Sequence, residues 1–286
     1  MYHAKRQGGG RSTLFDSEIQ MTARSRFALE SELRETLRTS GLDVFYQPIM
    51  DRTGTQLESA EALVRWQHPE RGLLYPRDFL PLAEETKLIG LLSERVLDQA
   101  CQDVGRWIRE GHTHLRLAVN LSPIQVEHPQ FVETLMQQVK AHNFPAGNLE
   151  IEITENVIMN DLEQISQKLR ELASLGVRIA IDDFGTGYSS LNYIHRLPIH
   201  TLKVDQSFVK AIRRGEDGAC IVNAIVAMAH GLKLQIVAEG VETDEQLTYL
   251  KSLGCHQVQG FFYGPARPAD VIGKTLGHTP ARAVAF

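Results

Sequence analysis

Eight short runs rich in β-branched residues recur along the chain from about residue 24. They lie at 44–50, 58–66, 115–121, 149–154, 177–182, 201–204, 234–239 and 256–262. Stretches of helical periodicity at 77–88, 91–110, 130–142, 162–175, 219–231 and 244–253 separate most of them. A strand followed by a helix returns the chain to the start of the next strand, so this alternation calls for a mostly parallel sheet covered by helices. Several helices have legible ends: Thr243 with Gln246 forms a capping box, and Gly176, Gly231 and Gly254 are C-terminal stops. Eight strands in this length predict an α/β fold of the TIM-like (β/α)8 type, although a doubly wound sheet gives a similar count. No helix fits between the first two runs, where Arg52-Thr53-Gly54-Thr55 is only a turn. The first strand is therefore expected to be antiparallel and the barrel irregular.

Composition narrows the function. With 286 residues, 43% of them hydrophobic, the chain can bury a sizeable core. Its formal net charge of -5 and lack of a long Lys/Arg block remove the electrostatic footprint expected for duplex nucleic acid. Cys101, Cys220 and Cys255 lie far apart without C-x-x-C spacing, which argues against a disulfide framework or a thiolate zinc site and suggests a reducing cytosol. No apolar run is long enough to span a bilayer and no signal-peptide core is present, so this segment is expected to be cytoplasmic without membrane contact.

Polar residues interrupt the strands where a core position should be apolar. Glu61 lies in the second run, Asn120 in the third and Glu152 in the fourth, while Asp182 and Asp183 close the fifth. Lys203, Glu239 and Gln259 fall in the sixth, seventh and eighth. One acid in a strand is ordinarily on a solvated face. Eight such residues on seven strands are not explained that way, because parallel barrel strands converge on one C-terminal mouth. Five carboxylates there repel one another unless cations neutralise them, and oxygen donors without His or Cys select hard ions such as Mg2+ or Mn2+. With Lys203 counted, four negative charges remain, which two divalent ions balance. The adjacent Asp182-Asp183 pair suits one bridging and one terminal ligand. Two such ions lower the pKa of water and clamp the oxygens of a phosphoryl displacement, so the expected chemistry is phosphodiester hydrolysis.

Glu61-Ala62-Leu63-Val64-Arg65-Trp66 is continued by His68-Pro69, Gly72 and Pro76, and stands with Tyr46-Gln47-Pro48, Asn120-Leu121-Ser122 and Glu152-Ile153-Thr154-Glu155. Asp182-Asp183-Phe184-Gly185-Thr186-Gly187, Leu202-Lys203-Val204-Asp205, Ala238-Glu239-Gly240 and Gln259-Gly260-Phe261 follow in order. The resemblance of this ordered set is to the EAL domain of bacterial cyclic di-GMP phosphodiesterases. It implies that Glu61, Asn120, Glu152 and Asp182 bind one ion, and that Asp182, Asp183 and Glu239 serve the second. It further implies that Lys203 orients the attacking water, that Glu239 is a general-base candidate and that Gln259 supports the second ion through water. Gln47, Leu63 and Arg65 match substrate-contacting positions, Glu155 holds the loop after the fifth strand, and the product is linear 5'-pGpG. The Asp-Phe-Gly-Thr-Gly loop fits neither dinucleotide nor Walker A spacing.

Residues 1–23 are expected to be a linker whose start resembles the C-terminal helix of a diguanylate cyclase (GGDEF) domain, 24–275 the phosphodiesterase domain and 276–286 a tail. Family likeness favours a homodimer and upstream GGDEF or sensory domains. The prolines of Gly264-Pro265-Ala266-Arg267-Pro268 depart from the usual family placement. A catalytically inactive cyclic di-GMP receptor is the rival reading; such domains lose ligand or loop residues, and here each position is filled.

Overall fold

The computed structural model of the chain describes residues 17–186, 194–212 and 218–276. Helix α1 (Ser17–Arg38) leads into an antiparallel hairpin of β1 (Leu42–Asp51) and β2 (Leu57–His68). The hairpin turn is organised by Asp51, whose carboxylate accepts the backbone N–H groups of Thr53, Thr55 and Gln56 at 3.2, 2.8 and 2.9 Å. A short strand, β3 (Gly72–Leu74), folds back on β2 before α2 (Pro76–Glu85) and α3 (Ile89–Arg109). The strand-helix alternation then proceeds through β4 (Arg116–Asn120), α4 (Pro123–Glu127), α5 (Phe131–Ala141), β5 (Leu149–Thr154), α6 (Glu155–Asn160) and α7 (Leu162–Ser174). It continues through β6 (Arg178–Phe184), β7 (Thr201–Val204), α8 (Gln206–Ala211), α9 (Gly218–Gly231), β8 (Gln235–Ala238), α10 (Asp244–Ser252) and β9 (Gln257–Gln259). The last described elements are β10 (Arg267–Pro268) and α11 (Ala269–Thr275).

Eight strands close on themselves in the order β1, β2, β4, β5, β6, β7, β8, β9, with β9 returning to β1. Pairings from β2 through β9 are parallel, whereas β1 runs antiparallel to both neighbours. Closure excludes the doubly wound alternative and agrees with an irregular α/β barrel whose first strand is reversed.

The alternation of side chains along a strand explains how the barrel is filled. Outward residues such as Leu117, Ile151, Ile179, Leu202 and Ile236 pack against helices in the main core. A second cluster joins Leu33 and Leu37 of α1 to Val64 and Trp66 of β2 and Phe79 of α2. Trp66 Nε1 donates to Thr36 Oγ1 at 3.1 Å, so α1 covers the outside of β2. Burial of each large apolar side chain there stabilises by about 1.5–3 kcal/mol. Inside the barrel Ile49, Ala118 and Val237 form a small apolar cluster. Polar residues occupy the interior above and below it.

Two expectations change in detail. Beyond the expected runs, β3 and β10 are additional strands. The eighth run is extended only over Gln257–Gln259, because Gly260 turns at φ 156 with its Cα packed on the Val241 backbone. Of the terminal segments, 1–16 and 277–286 lie outside the described residues. Among the described residues no helix is long and apolar enough to cross a membrane.

Candidate active site

Lys203 stands in the interior at the C-terminal side of the apolar cluster, with 1% of its side chain exposed. Its ammonium lies 2.8 Å from Glu152 Oε2, 2.8 Å from Glu239 Oε1, 3.0 Å from Asp182 Oδ1 and 4.0 Å from Glu61 Oε1. Register explains the convergence. Lys203 pairs with Val237 on β8, Asn120 with Glu152 across β4 and β5, and Thr154 with Asp182 across β5 and β6. Each residue near the end of a parallel strand is thereby brought to the same mouth. Glu239 follows the last residue of β8, and its backbone N–H donates to the Val204 carbonyl at 3.1 Å.

Amide side chains complete the first group. Asn120 Nδ2 donates to Glu61 Oε1 at 2.7 Å, and Gln259 Nε2 donates to the other oxygen of Glu61. Gln259 Oε1 is buried with no donor among the described residues. Asp182, Asp183 and Glu239 form a second group whose ligand oxygens all lie within 4.8 Å of one another.

The protonation pattern shows an unrelieved excess of negative charge. Burial pushes the Glu152 carboxyl well above the usual carboxylate range, Lys203 opposing it and Glu61 and Asp182 adding to it. Burial likewise pushes Glu239 up to about 8 against the pull of Lys203, with Asp182 and Glu61 contributing repulsion. Although Asp183 is an exposed residue, desolvation of its carboxyl together with Asp182 and Asp205 raises it to about 6. Burial alone would lower the pKa of Lys203, but Asp182, Glu152, Glu239 and Glu61 outweigh it and hold the ammonium charged. A cluster in which carboxylates compete for one lysine, with an amide oxygen unpartnered beside it, has the donor set and the charge deficit that divalent cations fit.

Asp183 adopts φ 51, a left-handed conformation, at a register break between β6 and β7. Its N–H donates to Asp182 Oδ1 at 3.0 Å, and its carbonyl accepts the Thr186 hydroxyl at 2.9 Å. Glu155, the first residue of α6, accepts the Gly185 N–H at 2.6 Å. Gly185 has φ 96, and a Cβ there would lie 2.9 Å from the Phe208 ring. Gly187, Ser189 and Ser190 of the same loop lie outside the described residues.

The hairpin supplies another wall. Gln47 pairs with Glu61 and Phe45 with Leu63, so Gln47, Leu63 and Arg65 share the face of Glu61, while Gln259 pairs with Ile49 on the other side of β1. The Arg65 guanidinium packs between the rings of Phe45 and Tyr75, 5.5 and 4.9 Å from their centroids, and donates to the Val64 carbonyl at 2.9 Å. All expected site residues thus fall on one mouth. Three further residues contribute to the site. Asp205 sits one step beyond β7, within reach of the Asp183 carboxyl, and its place after Lys203 at a strand end was the available signal. Phe45 and Tyr75, which flank Arg65, carried no such signal because aromatic residues near strands ordinarily read as core.

A family model described as EAL domain matches residues 30–266. The chain is 42% identical over 270 residues to the bifunctional diguanylate cyclase/cyclic di-GMP phosphodiesterase MucR of Pseudomonas aeruginosa, covering 94% of this chain and 39% of that protein. Identity to the cyclic di-GMP phosphodiesterase NbdA of the same organism is 39% over 276 residues, covering 96% of this chain and 35% of NbdA. The chain therefore spans well under half the length of these relatives. A solved structure of the MucR phosphodiesterase in complex with c-di-GMP superposes with a TM-score of 0.83 at 42% identity, covering 86% of this chain and 99% of that one.

Proposed function

The chain belongs to the EAL domain family, and from that premise we propose that it is a metal-dependent phosphodiesterase that hydrolyses cyclic di-GMP to linear 5'-pGpG. The observation that carries this reading is Lys203, buried and charged among Glu61, Glu152, Asp182 and Glu239 at a barrel mouth. Glu61, Asn120, Glu152 and Asp182 would hold one ion, and Asp182, Asp183 and Glu239 a second. Two Mg2+ or Mn2+ ions in those places supply Lewis acidity toward water and phosphate oxygens.

The remaining roles belong to the chain itself. An ammonium held protonated cannot accept a proton, so Lys203 acts by donating hydrogen bonds that orient the attacking water. Glu239 at the rim is the residue assigned to receive that water's proton. Arg65, already placed by two aromatic rings, retains N–H donors for a phosphate oxygen, and Gln47 and Leu63 line the same approach. Gln259 fixes Glu61 and offers its free oxygen to the site, while Glu155 ties the loop that carries Asp183. The same reading places the protein in the cytosol as a homodimer downstream of a GGDEF or sensory domain, and sedimentation of the chain tests the dimer.

The direct test is incubation of the chain with cyclic di-GMP and Mg2+ or Mn2+, resolved by chromatography. The expected product is pGpG. Retained binding without pGpG at any metal concentration would turn the reading into that of a receptor. Lys203→Ala is expected to lose turnover while keeping substrate affinity; a large loss of affinity at normal kcat contradicts its assignment to the nucleophile.

A further inference from the structure

A cavity of about 470 Å3 opens at the other end of the barrel, where the parallel strands begin. Its walls carry Arg52, Arg116 and Arg178 together with Gln235, Gln257 and His256. Carboxylates stand beside these groups, but each is engaged within the protein. Asp51 is taken up by the hairpin turn, Glu58 pairs with Arg116 Nη2 at 3.4 Å, and Glu150 accepts the Thr201 hydroxyl. Glu150 approaches Arg116 Nε only to 3.9 Å and Arg178 Nε to 3.7 Å, so both Nε–H groups are buried with no hydrogen-bond acceptor among the described residues. His256 accepts the Ile236 N–H through Nδ1 at 3.1 Å, which makes Nε2 the donor of the neutral ring. Arg178 makes its one ion pair among the described residues through Nε, so its Nη groups carry uncommitted donors.

We propose that this cavity is a second ligand site, separate from the carboxylate mouth, and that it takes a small organic phosphate. Guanidiniums from β4 and β6 approach from two sides and suit the oxygens of a phosphate group, each being a planar fork that binds such oxygens in pairs. A volume of 470 Å3 lies within the range of about 300–1,000 Å3 typical of small-molecule sites. Inorganic phosphate alone leaves most of it empty, so the anion is one end of a larger molecule whose remainder meets the amides of Gln235 and Gln257. The N-terminal mouth of such a barrel ordinarily serves stability. Here Glu150 faces the Nε edges of Arg116 and Arg178, at 3.9 and 3.7 Å, and leaves the Nη groups of Arg178 without an acceptor among the described residues.

The test is isothermal titration of the whole chain in EDTA, where the carboxylate mouth repels anions, with inorganic phosphate, a nucleoside 5'-monophosphate and citrate as separate probes. Saturable binding of the monophosphate, tighter than that of phosphate, is expected. Arg178→Gln and Gln235→Trp are each expected to weaken it by at least about tenfold, while Glu61→Ala at the opposite mouth leaves it unchanged. Gln235→Trp fills the cavity and keeps every arginine, so it carries the test if Arg178→Gln does not fold. Absence of saturable phosphate or monophosphate binding, equal affinity in the variants that fold, or binding of citrate alone overturns the proposal.

Discussion

Lys203 is surrounded by carboxylates with almost no access to water, and a buried ion pair that loses one partner is costly. Lys203→Met keeps the volume and removes the charge. In EDTA this variant is expected to lose about 3–5 kcal/mol of stability by urea denaturation, with a smaller loss at saturating Mn2+. Glu61 sits differently, because both of its oxygens are held by side-chain amides, Asn120 on one and Gln259 on the other. Glu61→Ala strands those two donors, and the expected cost is about 1–3 kcal/mol. Turnover should vanish while far-UV circular dichroism stays native, and wild-type turnover would refute the ligand role. The acids themselves were legible in the sequence because a charged residue inside a β-branched run has few bland explanations. The stacking of Arg65 between Phe45 and Tyr75 was not, since it depends on how β3 and α2 return the chain over β2.

Secondary-structure elements position these residues through a few polar ties. The Glu155 carboxylate at the start of α6 reaches the Gly185 amide beyond β6 and so links two consecutive strand ends. Glu155→Ala is expected to raise hydrogen exchange at the Gly185 amide and to lower kcat, with the exchange of β4 and β5 amides unchanged. At the far end, Asp51→Ala removes the acceptor that gathers the hairpin turn, and a stability loss of about 1–3 kcal/mol with unaltered kcat is expected from melting and steady-state assays. The strand order was readable because each run shows a period or a polar interruption of its own. Short elements were not: β3 has three residues and β10 two, and pairing with β2 and β1 rather than local propensity makes them extended. Helix α1 escaped notice for a related reason, since its apolar contacts Leu29, Leu33 and Leu37 recur only every fourth residue amid a polar sequence.

For the molecule as a whole, the carboxylate mouth is expected to tie stability to pH and to cations. Glu239 is raised from 4.5 to about 8 and Asp183 from 3.8 to about 6 in the folded, metal-free chain. Folding therefore favours their protonated forms. Their contribution is complete below the unfolded pKa values and is lost as pH rises through the folded ones. The melting temperature in EDTA is expected to fall between about pH 5 and 8, and Glu239→Gln should flatten that decline. Saturating Mg2+ or Mn2+ should reverse it, by about 2.7 kcal/mol at a hundredfold excess over Kd for one site. A flat, metal-independent melting profile would contradict a shared cation site.

The reversed first strand has a consequence for how the chain assembles. The β1–β2 hairpin is local and can form early, yet one edge of β1 stays unpaired until Gln257–Gln259 docks on Ile49–Asp51, on the order of two hundred residues later. Throughout synthesis that edge is a template open to any extended segment. Chains truncated before β9 should accordingly pair with one another and precipitate; the three-residue β9 acts as the clasp on Ile49–Asp51, and β10 then pairs with Phe45 and Tyr46.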